Sequence, residues 1–319
     1  MLDCVVVGDV MMDLILKSDR KIVNDLEFEG TNYFSSSQVV PGGSGNVAAA
    51  LSYLGGTAAL IGKAGHDAYG SAYVNDLESL HILARIEYDN TVSTGFAVSI
   101  VEPGGHRTLL VSRGANDRLT PEEARRNLLQ LAPAKFVYLS GYSLFNSPQR
   151  EAILESGRFA KENGSRVVFD PGSSNLIRSL PQVFQNAVDQ CDILCANQSE
   201  ARVLAQGLDE SEYARLRSRD GKDVIIKTGP EGCIVSSSGT LSKLPGVHSN
   251  SLDTTGAGDA FLGALIQRLA SGHDINQAAS FANWFAARTT EGLGPRHFPR
   301  KDDANQMLKS LQHEKILEK

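Results

Sequence analysis

Cysteine is scarce in this chain: Cys4, Cys191, Cys195 and Cys233 are the only four among 319 residues. None forms a C-x-x-C pair, and no histidine cluster accompanies them. Each falls in or beside an apolar, strand-like run, so they read as reduced core thiols of a cytoplasmic protein rather than a disulfide framework or a metal site. Positive charge is not in excess either. Lys and Arg number 31 against 37 Asp and Glu, a net charge of -6, which gives no general electrostatic case for nucleic acid or a membrane surface. No apolar run approaches the roughly 18 residues of a membrane span. The stretch Met1–Asp9 carries no basic leader and reads as a buried strand instead of a signal peptide. A G-x-x-x-x-G-K-[ST] loop is missing, which argues against a P-loop NTPase. No internal repeat or low-complexity linker divides the chain, whose length allows one or two domains.

What is present is an alternation of strands and helices. The first strand is Asp3–Val7, and a short exposed strand spans 34–40 before Pro41-Gly42-Gly43-Ser44-Gly45 breaks it. Asn46 opens an Ala-rich helix to about Leu54, followed by strand Thr57–Ile61 and helix 68–80. Two apolar runs, 94–101 and 107–111, flank Glu102-Pro103-Gly104-Gly105-His106, which is a hairpin pattern. From 121 onward helices at 121–131, 149–162 and 198–206 alternate with strands at 136–139, 166–169, 192–194 and 224–227. The last of these strands pairs with 233–236, and helices close the chain at about 257–271, 275–290 and 301–314. Such alternation predicts a parallel sheet covered on both faces. The expected architecture is one large α/β domain over 1–319 with a small β lid built from about 14–41 and 93–113.

The most informative stretch is Asp253-Thr254-Thr255-Gly256-Ala257-Gly258-Asp259, which runs directly into the apolar helix starting Ala260-Phe261-Leu262. The first N–H groups of a helix lack partners within it, and its dipole favours negative charge there. Small residues let a bulky phosphoryl group approach those N–H groups. An Asp in a first turn is otherwise a simple cap. The two glycines and the two flanking carboxylates favour the phosphate reading.

Other polar segments follow predicted strands, where open α/β sheets place their ligands. They are Gly8-Asp9 with Asp13 nearby, Asp170-Pro171-Gly172, Asn197-Gln198-Ser199-Glu200 and Lys227-Thr228-Gly229. Asn197 and Glu200 have the spacing of a helix-capping box as well as that of a metal-side pair. Gly43-Ser44-Gly45-Asn46-Val47-Ala48 fits the relaxed dinucleotide pattern G-x-G-x-x-A, but it does not follow the first long strand, and Lys63, not an acid, ends the next one. Its glycines suit a ligand lying against backbone, with Asn46 supplying a directed hydrogen bond.

Taken together, these segments resemble the PfkB carbohydrate kinases, also called the ribokinase family, which includes nucleoside kinases. Asp253–Asp259 is similar to the family signature D-T-x-G-A-G-D, and Gly42–Asn46 to G-G-x-x-x-N. Gly65–Gly70 resembles G-x-D-x-x-G, Asn197–Glu200 resembles N-x-x-E, and Lys227–Gly232 resembles K-x-G-x-x-G. The resemblance covers essentially the whole chain. It implies a ribokinase-like three-layer α/β/α sandwich with a mostly parallel sheet and a β-sheet lid. It also implies an ATP- and Mg2+-dependent transfer to a primary hydroxyl of a sugar or nucleoside.

Roles follow from the same resemblance. Asp259 would be the general base, and the N–H groups of Gly256, Ala257, Gly258 and Asp259 an anion hole. Asp13, Gly42, Gly43, Asn46, Arg113 and Asn116 would bind the acceptor. Asn197, Lys227, Thr228, Gly229, Gly232 and Asn283 would border ATP, and Glu200 would reach Mg2+ through water. Asp253 and Thr255 match a loop that holds K+ in many members. Paired lids would cover exposed strand edges in a homodimer.

Departures from the pattern bear on the acceptor. Met11 replaces an Asn common in sugar-binding members, Ser44 replaces a Lys found in several, and Ser140-Gly141 lacks the acid of ribose-specific members. Tyr33, Phe34 and Phe96 are candidates for stacking on a base. The competing readings are a non-catalytic binding protein on the same scaffold and an NAD-dependent oxidoreductase.

Overall fold

Runs of apolar residues without polar alternation suit strands covered on both faces. The sequence Leu-Asp-Cys-Val-Val-Val of β1 (Leu2–Val7) follows that rule, with Val6 and Val7 fully buried. The computed structural model describes residues 1–22, 30–103 and 107–317. After β1 the chain forms β2 (Val10–Lys17), β3 (Ser36–Gly43), α1 (Gly45–Tyr53), β4 (Ala58–Gly65), α2 (Ala68–Ser79), β5 (Leu83–Asp89), β6 (Gly95–Val101) and β7 (Arg107–Ser112). Then come α3 (Pro121–Gln130), β8 (Ala134–Ser140), α4 (Gln149–Glu162), β9 (Arg166–Asp170), α5 (Ser174–Ser179), α6 (Pro181–Gln190), β10 (Ile193–Asn197) and α7 (Gln198–Leu204). The chain ends with α8 (Glu210–Arg219), β11 (Asp223–Lys227), β12 (Gly232–Ser237), β13 (Thr240–Pro245), α9 (Ala257–Ala270), α10 (Ile275–Thr289) and α11 (Lys301–Leu317).

Nine strands form one sheet in the order β13-β12-β11-β10-β9-β8-β1-β4-β5. Every pair from β11 to β5 is parallel, and only β12 and β13 join antiparallel. Two apolar cores lie on its two faces. One gathers Val47 and Leu51 of α1, Phe261 and Leu265 of α9 and Phe281 and Phe285 of α10. The other gathers Ile153 of α4, Phe184 and Val188 of α6, Leu204 of α7 and Tyr213 of α8. This is the three-layer arrangement expected from the alternation. Strand order reverses at β1, which passes to β4 on one side and to β8 on the other. Ligand crevices open at such switch points, beyond the carboxyl ends of the strands.

A separate four-stranded sheet runs β3-β2-β6-β7. Its antiparallel β6–β7 pair is the expected hairpin; residues 104–106 of the connecting turn, and 23–29 of the first insertion, lie outside the described residues. Two differences from the sequence reading are informative. Strand β3 does not break at Pro41 but runs on to Gly43, with Pro41 opposite Met12. Proline is tolerated there because β3 is an edge strand with β2 as its one neighbour. Strand β2 itself follows β1 after only Gly8-Asp9, so one apolar stretch serves two sheets. The structure also adds β5, α5, α6, α8 and β13, which the sequence reading did not include.

Candidate active site

The site is built around the start of α9. Gly256 is its N-cap residue with φ +75, and a Cβ there would lie 2.6 Å from Pro295 Cα, so both backbone and space demand glycine. The preceding turn is tied by Asp253, whose Oδ1 accepts from the Thr255 N–H at 2.9 Å and whose Oδ2 accepts from the Gly294 N–H at 2.9 Å. The N–H groups of Gly258 and Asp259 make no backbone hydrogen bond among the described residues. The Ala257 N–H, expected to join the anion hole, instead donates to Thr254 O at 3.2 Å because the turn before the helix closes on itself. Gly258 is exposed, and a Cβ on it would meet only Lys227 Nζ, at 3.6 Å. An open helix N-terminus facing an ammonium is a fit for phosphate oxygens.

Asp259, in the first turn of α9, accepts from Asn46 Nδ2 at 3.2 Å. Burial and the negative charges of Asp170 and Asp13 raise its carboxyl, while the Asn46 bond and the Lys227 charge oppose them; the balance lies at about 7. A carboxyl poised there suits proton transfer near neutral pH.

The loop leading to Asn46 is held from behind by Tyr73 of α2. Its hydroxyl donates to Gly42 O at 2.9 Å and accepts from the Gly45 N–H at 3.0 Å. Gly42 leaves room for the Asp13 carboxylate, which a Cβ at that position would overlap. Asp13, Gly42, Asn46 and Asp259 are therefore brought to one place. Gly43, at φ +56, turns the chain from β3 into α1. The pattern beginning at Gly43 thus follows an edge strand of the small sheet, not the first βα turn of the large one, and the dinucleotide-binding context is not there.

Beyond the ends of β9, β10 and β11 lies a charged group. Lys227 Nζ is 3.3 Å from Asp170 Oδ1. Burial alone would depress the Lys227 ammonium, but the charges of Asp170 and Glu200 outweigh it and hold the group above its ordinary value. Asn197 and Glu200 form a complete capping box at the start of α7: Glu200 Oε2 accepts from the Asn197 N–H at 2.8 Å, and Asn197 Oδ1 accepts from the Glu200 N–H at 2.9 Å. Glu200 is only 2% exposed, and burial followed by the Asp170 charge raises its carboxyl. Thr228 donates its N–H to Gly232 O at 2.9 Å, closing the strand-turn, and Gly229 borders open space. Asn283 of α10 donates to Cys233 Sγ at 3.3 Å, and Cys233 is the register partner of Lys227, so Asn283 stands beside this turn.

Two residues expected at the acceptor also make structural contacts. Asn116 is fully buried; its amide accepts from the Val10 N–H and donates to the carbonyls of Val10 and Arg113, bracing β2 against the segment after β7. Arg113 grips Asp9 with Nη1 at 3.1 Å and Nη2 at 2.9 Å and reaches Asp117 with Nε at 2.6 Å. Asp9 also accepts from Ser143 and Gln149, so the arginine latches the small sheet to the end of β1. Phe96 stacks on Tyr69 with ring centroids 5.8 Å apart and packs, partly buried, against the main core. All four cysteines are buried and free of disulfides, and burial raises each thiol to about 12. No helix among the described residues is long and apolar enough to cross a membrane.

Sequence reasoning placed Asp170 near the site without a role and missed Arg296 and Tyr73. Neither lies in a recognisable motif, and their partners are remote in sequence.

Comparison with known proteins gives the family and the fold. Residues 1–302 match the profile described as pfkB family carbohydrate kinase. The chain is 28% identical over 305 residues to a ribokinase of Bacillus subtilis, covering 95% of this chain and 98% of that one. It superposes on the crystal structure of adenosine kinase from Sinorhizobium meliloti with a TM-score of 0.85 at 24% identity, covering 97% and 99% of the two chains. An E. coli structure named for a ribokinase II in complex with ATP and Mg2+ gives a TM-score of 0.84 at 20% identity, with 97% and 100% covered.

Proposed function

The chain belongs to the pfkB family of carbohydrate kinases, and on that premise we propose that it moves the terminal phosphoryl group of ATP onto a primary hydroxyl of a sugar or nucleoside, with Asp259 as general base. The observation that carries this reading is the Asn46–Asp259 contact at the open N-terminus of α9, which puts a poised carboxylate beside an acceptor loop and an anion-binding helix end. Asp13 and Asn46 orient the acceptor, and Asp259 takes the proton as the hydroxyl oxygen bonds to phosphorus. The bond from phosphorus to the bridging oxygen breaks, and ADP leaves. The free N–H groups at Gly258 and Asp259 and the Lys227 ammonium meet the charge on the phosphoryl oxygens. Bound Mg2+ would neutralise phosphate charge. Glu200 would reach that ion through water, as suits a hard cation that keeps its waters. Lys227, Thr228, Gly229, Gly232, Asn197 and Asn283 would border the nucleotide. Asp253 and Thr255 would shape a K+ loop.

The whole chain acts as one kinase domain in this reading, in the cytoplasm. The small sheet is its lid, closing over the acceptor and excluding the water that competes for the phosphoryl group. Its edge strand β7 exposes Leu109, Leu110 and Val111, a surface suited to pairing lids in a homodimer; a monomer by light scattering at micromolar concentration contradicts that arrangement.

The test is an ADP-release screen over pentoses, hexoses, sugar acids, phosphosugars and nucleosides, with and without K+. Release with one acceptor class supports the reading. Tight ligand binding with no release across the panel contradicts it and favours a non-catalytic binding protein.

A further inference from the structure

Three consecutive residues between α10 and α11 touch three separate parts of the site. The Gly294 N–H donates to Asp253 at 2.9 Å. Pro295 lies against Gly256, where even a Cβ would come within 2.6 Å of it. Arg296 Nε donates to Asn46 Oδ1 at 2.9 Å. The guanidinium is anchored on its other side, with Nη1 2.6 Å from Asp76 Oδ2. Asp76 stands one turn along α2 from Tyr73, the residue that clamps Gly42 and Gly45.

An asparagine amide has one accepting end and one donating end. Guanidinium N–H groups only donate, so Arg296 draws Oδ1 to itself and leaves Nδ2 directed at Asp259. With the amide turned the other way, Oδ1 would face the carboxylate, and two acceptors would meet. The arginine is not a surface charge: its side chain is 18% exposed, and Nη2 is buried beside Gly45 with no hydrogen-bond partner among the described residues. A buried donor left unpaired is unfavourable for stability, so the guanidinium sits here at some cost. The groups that bear most on Asp259 are Asp170 from β9, Lys227 from β11, Asp13 from β2 and Asn46 from α1. Arg296 is joined to the carboxylate through Asn46, whose Oδ1 it holds and whose Nδ2 meets Asp259.

We propose that Arg296 is a positioning residue for the phosphoryl transfer: held by Asp76, it fixes the Asn46 amide so that Nδ2 faces Asp259, while Gly294 and Pro295 in the same strap hold the turn before α9. The proposal rests on Asp259 being the base.

The test is a double-mutant cycle of wild type, Arg296→Met, Asn46→Ala and the double variant. Each is assayed with ATP and whichever of D-ribose, D-fructose or adenosine turns over fastest. Arg296→Met should lower kcat roughly 10- to 100-fold when Asn46 is present and less than about twofold when it is absent, because coupled residues are not additive. In parallel, the Asp259 carboxyl is titrated by carbon-13 NMR without any acceptor, its signal assigned by its loss in Asp259→Asn. Loss of the donated bond should raise its pKa in Arg296→Met by about half a unit or more. Equal losses of kcat in both backgrounds, or an unmoved Asp259 titration, would overturn the proposal. Should Arg296→Met fail to fold, Asp76→Asn loosens the same guanidinium and must show the same coupling to Asn46 in smaller measure. Near-normal turnover in Asp259→Asn would instead remove the base assignment, an outcome read from a different protein.

Discussion

Asn46 Nδ2 donates to Asp259 Oδ2 at 3.2 Å across 213 positions of sequence, joining the start of α1 to the start of α9. In the proposed mechanism one helix brings the acceptor loop and the other the anion hole, so this contact would set where a hydroxyl and a phosphoryl group meet. It also helps fix the protonation of the base. With the carboxyl at about 7, half of the enzyme is ready to accept a proton at that pH. Turnover should therefore climb as pH rises towards 7 and level off above it. A kcat profile flat from about pH 5 to about pH 8 contradicts the assignment.

The same carboxyl should limit stability. Its folded value of about 7 lies above the ordinary 3.8, so between those values the folded chain holds a proton that the unfolded chain releases. Stability must then fall as pH rises through that window. Asp259→Asn removes the effect. Its melting temperature should match wild type at about pH 4 and exceed it by about 2–4 °C above pH 7, for each kcal/mol relieved. A melting difference that does not grow with pH rules out a raised carboxyl.

Lys227 is predicted to serve both binding and stability. Lys227→Met leaves Asp170 buried and unpaired beside Asp259 and Glu200. Breaking such a pair should cost about 3 kcal/mol in urea unfolding. It should also weaken ATP binding, followed by calorimetry, by about tenfold through loss of a charged donor. Unchanged ATP affinity would place Lys227 outside the phosphate site.

Gly42→Ala tests the acceptor side. The new methyl would overlap the Asp13 carboxylate and push it from the place where it meets a hydroxyl. The acceptor KM should rise about tenfold or more while ATP affinity is kept. An unaltered KM would remove Asp13 from the acceptor contacts.

Legibility in the sequence followed locality. The turn at Asp253–Asp259 and the β6–β7 hairpin are each written within a few residues, and so is the capping box at Asn197 and Glu200, whose spacing also fits a metal-side pair. The alternation after residue 121 gave the layered sheet. Contacts between distant segments left no such trace: Arg113 meets Asp9 across 104 positions, and Arg296 meets Asn46 across 250. Asn116 shows the limit of a motif, since its segment was recognised but its side chain turned inward to brace β2. Strand β2 was missed because its apolar run continues from β1 with only Gly8 and Asp9 between them. In the proposed function the acceptor would be chosen by side chains of two sheets brought together in space, which no single stretch encodes.

The central claim is that Asp259 removes the acceptor proton, and Asp259→Asn measures it most directly. The amide keeps the size of the side chain but cannot take a proton. With an accepting sugar or nucleoside, kcat should fall roughly 10²- to 10⁴-fold while ATP binding by calorimetry stays within about twofold of wild type. Turnover close to wild type in that variant, with ATP bound normally, would contradict the account.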